Sequence, residues 1–284
     1  MARARGAERR DDTRGARMTD TLTFGYFAQE ESTREASERL RVWMSERLGV
    51  PMSLHYCGGY EALAREVEAE KVDVAWLPPV AFVKLPPQKV EALLALERGR
   101  QTGYKSALVV RSDSTIESLD DLRGARAAWV DAWSASGFVV PRVGLKKMGI
   151  DPRNLFRVEA FHGSHSAAIR AVIDGAADVT GTHARPKASG EEGVEGSWTL
   201  VDGVAMRVLR TFGEVPADLI CVRPGLPAEL KPRLAEAFKE ACAGDRKADV
   251  KAIFGADRFT DAPTSGYAAL RASLTEATAD GLFD

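Results

Sequence analysis

The sequence predicts an α/β protein built as two lobes, and three observations carry that expectation. From Thr21 onward, short apolar runs alternate with stretches of helical period, the pattern of strands joined by crossover helices. The alternation begins again after Ser114. A length of 284 residues is also enough for two modest cores.

Taken in order, Leu22 to Phe27 reads as a short strand and Ser32 to Leu48 as a helix with Ala36, Leu40, Trp43 and Leu48 on one face. Met52 to Tyr56 is a strand, and Tyr60 to Lys71 a helix turning Leu63 and Val67 inward. Val72 to Leu77 is a third strand, closed by Pro78-Pro79. Strands separated by helices predict parallel pairing through right-handed crossovers. Ala92 to Leu96 and the β-branched run Ala107 to Arg111 are further strands. Ser114 to Gly124 reads as a capped short helix feeding a strand over Ala127 to Val130. A helix over Ser136 to Met148 follows, stopped by Gly149; then come a strand (Arg157 to Phe161), a helix (Ser164 to Asp174) and a strand (Ala177 to Thr180). Residues 186–197 form a polar loop without period. Met206 to Phe212 and Asp218 to Arg223 are strand-like, and helices around Ala228 to Ala243 and Tyr267 to Ala279 finish the chain. The chain is expected to cross into the second lobe near 108 and to return near 213. That gives a first lobe of 20–108 plus 213–284 around a second lobe of 109–212.

Residues 1–19 are arginine-rich and almost free of apolar side chains. They read as a disordered tail, or as sequence upstream of a start at Met18. They hold no apolar h-region of the secretory kind, so the chain as written reads as cytoplasmic. No run is long enough for a transmembrane helix, so a membrane is expected only through a partner. With 39 basic and 41 acidic residues, no basic excess indicates a nucleic-acid partner. Cys57, Cys221 and Cys242 lie far apart without CxxC spacing, which supports neither disulfides nor a zinc site. His162, His165 and His183 share no helix face, so no metal is expected. Neither GxSxG, HExxH, GxxxxGK[ST] nor GxGxxG occurs, so neither an enzyme nor a cofactor is indicated.

The most informative stretch is Asp131-Ala-Trp-Ser-Ala-Ser-Gly-Phe-Val-Val-Pro141. A buried strand that turns through Ser-x-Ser-Gly into a helix start presents free backbone N–H groups beside two hydroxyls. Helix dipole and orphan donors both favour negative charge there. The simpler alternative is N-capping by serine alone.

Several patterns in order then resemble one family. These are Tyr60-Glu-Ala-Leu with Val72-Asp-Val-Ala-Trp-Leu-Pro-Pro79, Tyr104-Lys-Ser-Ala-Leu-Val-Val-Arg111, and Ser118-Leu-Asp-Asp-Leu-Arg-Gly124. They continue with Ser134-Ala-Ser-Gly137, Gly163-Ser-His165 ahead of Asp174-Gly-Ala-Ala-Asp-Val179, and Val215-Pro-Ala-Asp218. The chain resembles the phosphate/phosphite/phosphonate substrate-binding proteins of ABC importers, within the type 2 periplasmic binding protein superfamily. The resemblance implies a two-lobed fold with a hinge and an interlobe ligand cleft, closing on a small tetrahedral oxyanion and recognised by an ABC permease. It implies that Ser134, Ala135 and Ser136 of the serine loop, His165, Tyr60 and Tyr104 hold the oxyanion, with Asp218 placed to meet a ligand amine. It also implies export or lipid anchoring.

Two departures stand out: Ala135 where relatives often carry Thr, and Arg185, by ungapped count, where some carry an acidic residue for an amine. Arg185 is expected near the cleft mouth, with Asp218 either meeting an amine or pairing with Arg185. The competing readings are a cytosolic ligand sensor on the same fold, and an enzyme using Ser136 and His165 as nucleophile and base.

Overall fold

The computed structural model describes residues 21–27, 31–187, 190–263 and 265–283. The expected tail over 1–19 lies outside the described residues, as do two positions of the polar loop. Apolar alternation places the first strands where the sequence suggests. β1 (Leu22–Tyr26) and β2 (Met52–Tyr56) pair in parallel, Leu22 opposite Met52. The intervening α1 (Glu31–Leu48) buries Ala36, Leu40, Met44 and Leu48. Met44 completes this stripe, where Trp43 was expected; Trp43 is half-buried at its edge. After α2 (Tyr60–Glu68) comes β3 (Val74–Leu77), buried throughout and parallel to β1. Pro78-Pro79 does more than end a strand. Pro79 opens a short helix, α3 (Pro79–Lys84), where its missing N–H costs no helical hydrogen bond.

β4 (Glu91–Glu97) stays with these strands, but β5 (Gly103–Arg111) lies wholly in a second sheet. That sheet gathers β6 (Arg126–Trp129), β7 (Val158–Phe161), β8 (Val179–Pro186), β9 (Val194–Gly196) and β10 (Met206–Pro216). Helix α4 (Val140–Lys147) follows β6, and α5 (His165–Ile173) follows β7. The chain returns to the first sheet with β11 (Leu219–Val222), then α6 (Leu230–Ala243), α7 (Lys247–Phe254), β12 (Arg258–Asp261) and α8 (Tyr267–Ala279). The sheet orders are β12-β4-β11-β3-β1-β2 and β10-β5-β8-β6-β7, with β9 paired to β8.

The sheets are thus entered and left a few residues away from the expected 108 and 213. The crossings lie between Glu97 and Gly103 and between Pro216 and Leu219. Nor is the pairing all parallel. β11 runs antiparallel to β3 and β4, β12 to β4, and β5 to both β8 and β10. The helix expected over 114–124 shrinks to a 3₁₀ turn at Asp120–Leu122. The Asp121 carboxylate accepts from the amides of Glu117 and Ser118 at 3.1 and 2.9 Å, offering the backbone an alternative to helix.

One apolar cluster lies between the first sheet and α1, α6 and α7, centred on Phe24, Phe238 and Phe254. A second is continuous from α2 and α3 to the Trp129 face of the second sheet. The last turn also bridges the lobes. Lys146 pairs with Asp280 at 2.5 Å, and Arg142 Nη2 donates to the Leu282 carbonyl at 3.1 Å. Helix α8 itself packs on α3, Tyr267 meeting the Phe82 ring at 5.3 Å, and the residues after it reach α4.

Candidate functional site

The end of β6 turns through the serine loop as a π-turn over Ala135–Val139, with Val139 N donating five residues back to Ser134 O at 3.0 Å. Such turns occur often at functional sites. Ser134 Oγ accepts from Gly137 N at 3.1 Å, so its own hydroxyl hydrogen remains available to a ligand. The amides of Ala135 and Ser136 precede the first helical bond and are left without helical acceptors. Gly137 has no room for a side chain: a Cβ would lie 2.4 Å from Val130 Cγ2 and 2.7 Å from Ser134 Oγ. Ser106 Oγ holds the Ser136 carbonyl at 2.8 Å. β8 closes against the same turn through Gly181, whose Cβ would stand 3.1 Å from the Ser136 and Gly137 carbonyls.

His165 is the first residue of α5, which Ser164 caps by accepting from Ala167 N at 3.0 Å. Its Nδ1 lies 3.0 Å from Thr182 Oγ1. His183 Nδ1 lies 3.2 Å from Ser197 Oγ, and the two imidazoles meet edge to face with centroids 5.3 Å apart. Burial pulls His165 down to about 4 and His183 well below the usual histidine range, so both are neutral at pH 7. Burial, reinforced by the Asp218 charge, pushes the phenols of Tyr60 and Tyr104 upward. They are protonated donors. Tyr60 opens α2 and meets the Phe27 ring edge-on at 4.5 Å; Phe27 in turn stacks on Trp76 at 5.0 Å.

Arg185 sits near the end of β8 with its guanidinium 4.9 Å over the Tyr104 ring. Asp218 does not pair with it. Its carboxylate takes Arg98 Nη2 at 2.7 Å, while Arg98 also donates to the Phe254 carbonyl. All eight residues singled out from the sequence (Tyr60, Tyr104, Ser134, Ala135, Ser136, His165, Arg185 and Asp218) line one cleft between the two sheets, of about 1110 Å³. Sequence reasoning missed Phe27, Trp76, Arg98 and Arg100 on its walls, and considered His183 only as a metal ligand. Two N–H groups of cleft residues, Trp76 Nε1 and Arg185 Nε, are buried without an acceptor among the described residues. Buried donors of this kind call for a partner. No group of three or more His, Cys, Asp or Glu is arranged to hold a metal among the described residues.

Comparison with known proteins gives a consistent result. A family model described as "ABC transporter, phosphonate, periplasmic substrate-binding protein" matches residues 24–267. The phosphate-import protein PhnD of Mycolicibacterium smegmatis is 24% identical over 186 residues, 61% of this chain and 58% of that protein. The phosphonates-binding periplasmic protein of Escherichia coli (strain K12) is 27% identical over 205 residues, 69% of this chain and 58% of that protein. The chain therefore spans less than two thirds of these curated relatives' length. Among solved structures, XAC2383 from Xanthomonas citri, bound to chloride, superposes with a TM-score of 0.74 at 19% identity, covering 92% of this chain and 100% of that one. PhnD1 from Prochlorococcus marinus (MIT 9301), in complex with methylphosphonate, gives 0.72 at 18% identity over 91% and 98%. These two likenesses speak to the fold, a two-lobed α/β architecture.

Proposed function

This chain belongs to the family of periplasmic substrate-binding proteins of phosphonate ABC transporters, and we propose that its cleft binds a phosphonate-, phosphite- or phosphate-like oxyanion for an ABC permease. The observation that carries this reading is convergence. Residues from 60 to 218 in the chain meet in one cleft and present hydroxyls, phenols, a neutral imidazole and backbone N–H groups. Neutral donors preorganised in a shielded cleft suit an anion that arrives with its own charge. In the tautomer protonated at Nε2, Thr182 Oγ1 donates to Nδ1 of His165 and Nε2 is a donor to the ligand as well.

Ser134→Ala and Ser136→Ala each remove one charge-assisted hydrogen bond, worth ~1.5–3 kcal/mol or about 10–100-fold in affinity. Ser134→Ala also loses a cap worth ~1 kcal/mol. Calorimetric titration with methylphosphonate and inorganic phosphate measures both effects; unchanged affinity in both variants would sink the oxyanion reading. Native mass spectrometry of the purified protein identifies what the cleft retains.

The lobes are proposed to close on the ligand about the two crossings, with the boundaries shifted to those crossings. Small-angle scattering should then give a smaller radius of gyration with methylphosphonate than without. Identical curves at saturating ligand would argue for a rigid cleft.

A further inference from the structure

Resting on the oxyanion reading, we infer that the cleft contains a second anion subsite at Arg185, so that its preferred ligand carries a carboxylate or similar negative group beyond the tetrahedral head. The geometry begins with β8. Gly181, His183 and Arg185 alternate onto one face of that strand. Gly181 abuts the serine-loop carbonyls, His183 faces Ser106 across the ladder, and Arg185 lies one further step along the same face. A ligand headed at the serine loop therefore extends along this row towards the guanidinium. Gly181 to Arg185 is two alternate steps, about 13 Å along the strand. The guanidinium lies 4.9 Å over the Tyr104 ring, whose hydroxyl bonds the Ser136 side chain. A short carbon chain and the length of the arginine side chain together span the gap.

Arg185 is a charge without a carboxylate within ion-pair distance among the described residues. The nearby acids are engaged elsewhere. Asp218 is held by Arg98 at 2.7 Å, and Asp257 by Lys251 at 2.6 Å and the Gly99 amide at 2.8 Å. Glu195 faces Arg185 across the β8–β9 ladder but forms no ion pair with it. The Tyr104 ring offers the guanidinium a π-face but no acceptor, and Arg185 Nε is buried without one. Burial and the Arg98 charge both act against the cation, yet a guanidinium does not shed its proton. An anionic ligand group relieves that cost; an ammonium increases it.

The test uses three phosphonates of matched length: n-propylphosphonate, 2-carboxyethylphosphonate and 2-aminoethylphosphonate. Calorimetry on the full chain is expected to show the carboxylated ligand binding about tenfold or more tighter than propylphosphonate, with the amine weakest. Arg185→Gln should bring the carboxyl-to-propyl ratio near one, whatever change in affinity the three ligands share. The ligand-free variant should melt no lower than wild type, whereas a merely structural arginine would lower the melting temperature. If Arg185→Gln does not fold, Arg185→Lys keeps the charge without the fork, and the ratio should fall only in part. Equal binding of the carboxyl and propyl ligands by wild type, an unchanged carboxyl-to-propyl ratio in Arg185→Gln, or tightest binding of the amine overturns this inference while leaving the oxyanion reading intact. Failure of every phosphonate and of inorganic phosphate to bind wild type overturns the oxyanion reading and this inference with it.

Discussion

Arg142→Met is expected to lower folding stability by about 3 kcal/mol, the lower end of the range for breaking a buried ion pair. Arg142 is 4% exposed on α4. Its guanidinium pairs with Glu159, donates to the Leu282 carbonyl through Nε and Nη2 at 3.3 and 3.1 Å, and lies 5.1 Å from the centre of the Phe138 ring. Glu159 also accepts from Trp129 Nε1 at 2.7 Å, and Trp129 is fully buried. Methionine fills the space but leaves a carboxylate and a carbonyl short of donors. Water partly compensates, because the Glu159 side chain is 30% exposed, and this places the estimate low in the range. Urea denaturation of wild type and variant at pH 7 measures the loss. A difference under about 1 kcal/mol, the size of an ordinary surface substitution, would contradict the network reading.

Acidification from pH 7 should destabilise the protein well before its carboxylates titrate. His165 binds its proton more weakly folded, near 4, than unfolded, near 6.5. Protons therefore draw the equilibrium towards the unfolded chain. The stabilisation from the neutral ring is complete above pH 6.5 and is lost as the pH falls towards 4. Its full extent is about 3 kcal/mol for this ring alone, and His183, displaced in the same direction, adds to it. Denaturation midpoints between pH 7.5 and 5 should fall in wild type and fall less in His165→Asn. Parallel slopes for the two proteins would show that this imidazole is not held neutral.

Legibility in the sequence followed burial. Strand β2 is delimited to the residue because Met52, Leu54 and Tyr56 alternate with polar residues between Pro51 and the Gly58-Gly59 pair. Helix α7 and strand β12 were missed: Lys247–Phe254 is short, charged and follows Gly244-Asp245-Arg246, so it offers too few turns for a period to register. The length of β10 was missed for a different reason. It lies at the sheet edge, with only Phe212 and Val215 buried, so its polarity resembles a loop. Antiparallel pairing leaves no trace in a strand–helix alternation. In the site, the eight expected residues lie together because motif order carries their spacing. Arg98 gave no local signal, since an arginine after a strand ordinarily faces water; only the fold brings Asp218 and Phe254 to it.

The two crossings between the sheets are neighbours. Ala217 N donates to Thr102 O at 2.9 Å, Gly103 stands opposite Pro216, and the Tyr267 hydroxyl grips the Ala217 carbonyl at 2.7 Å. Mechanically that is one axle, and a body mounted on one axle turns freely. The contacts of Asp280 and Leu282 with Lys146 and Arg142 add an anchorage away from it, as a stay holds a door. Any rotation about the axle strains that stay. The last turn is therefore one restraint on such a rotation, beside the apolar cluster that α2 and α3 share with the second sheet, and it acts without touching a single cleft residue.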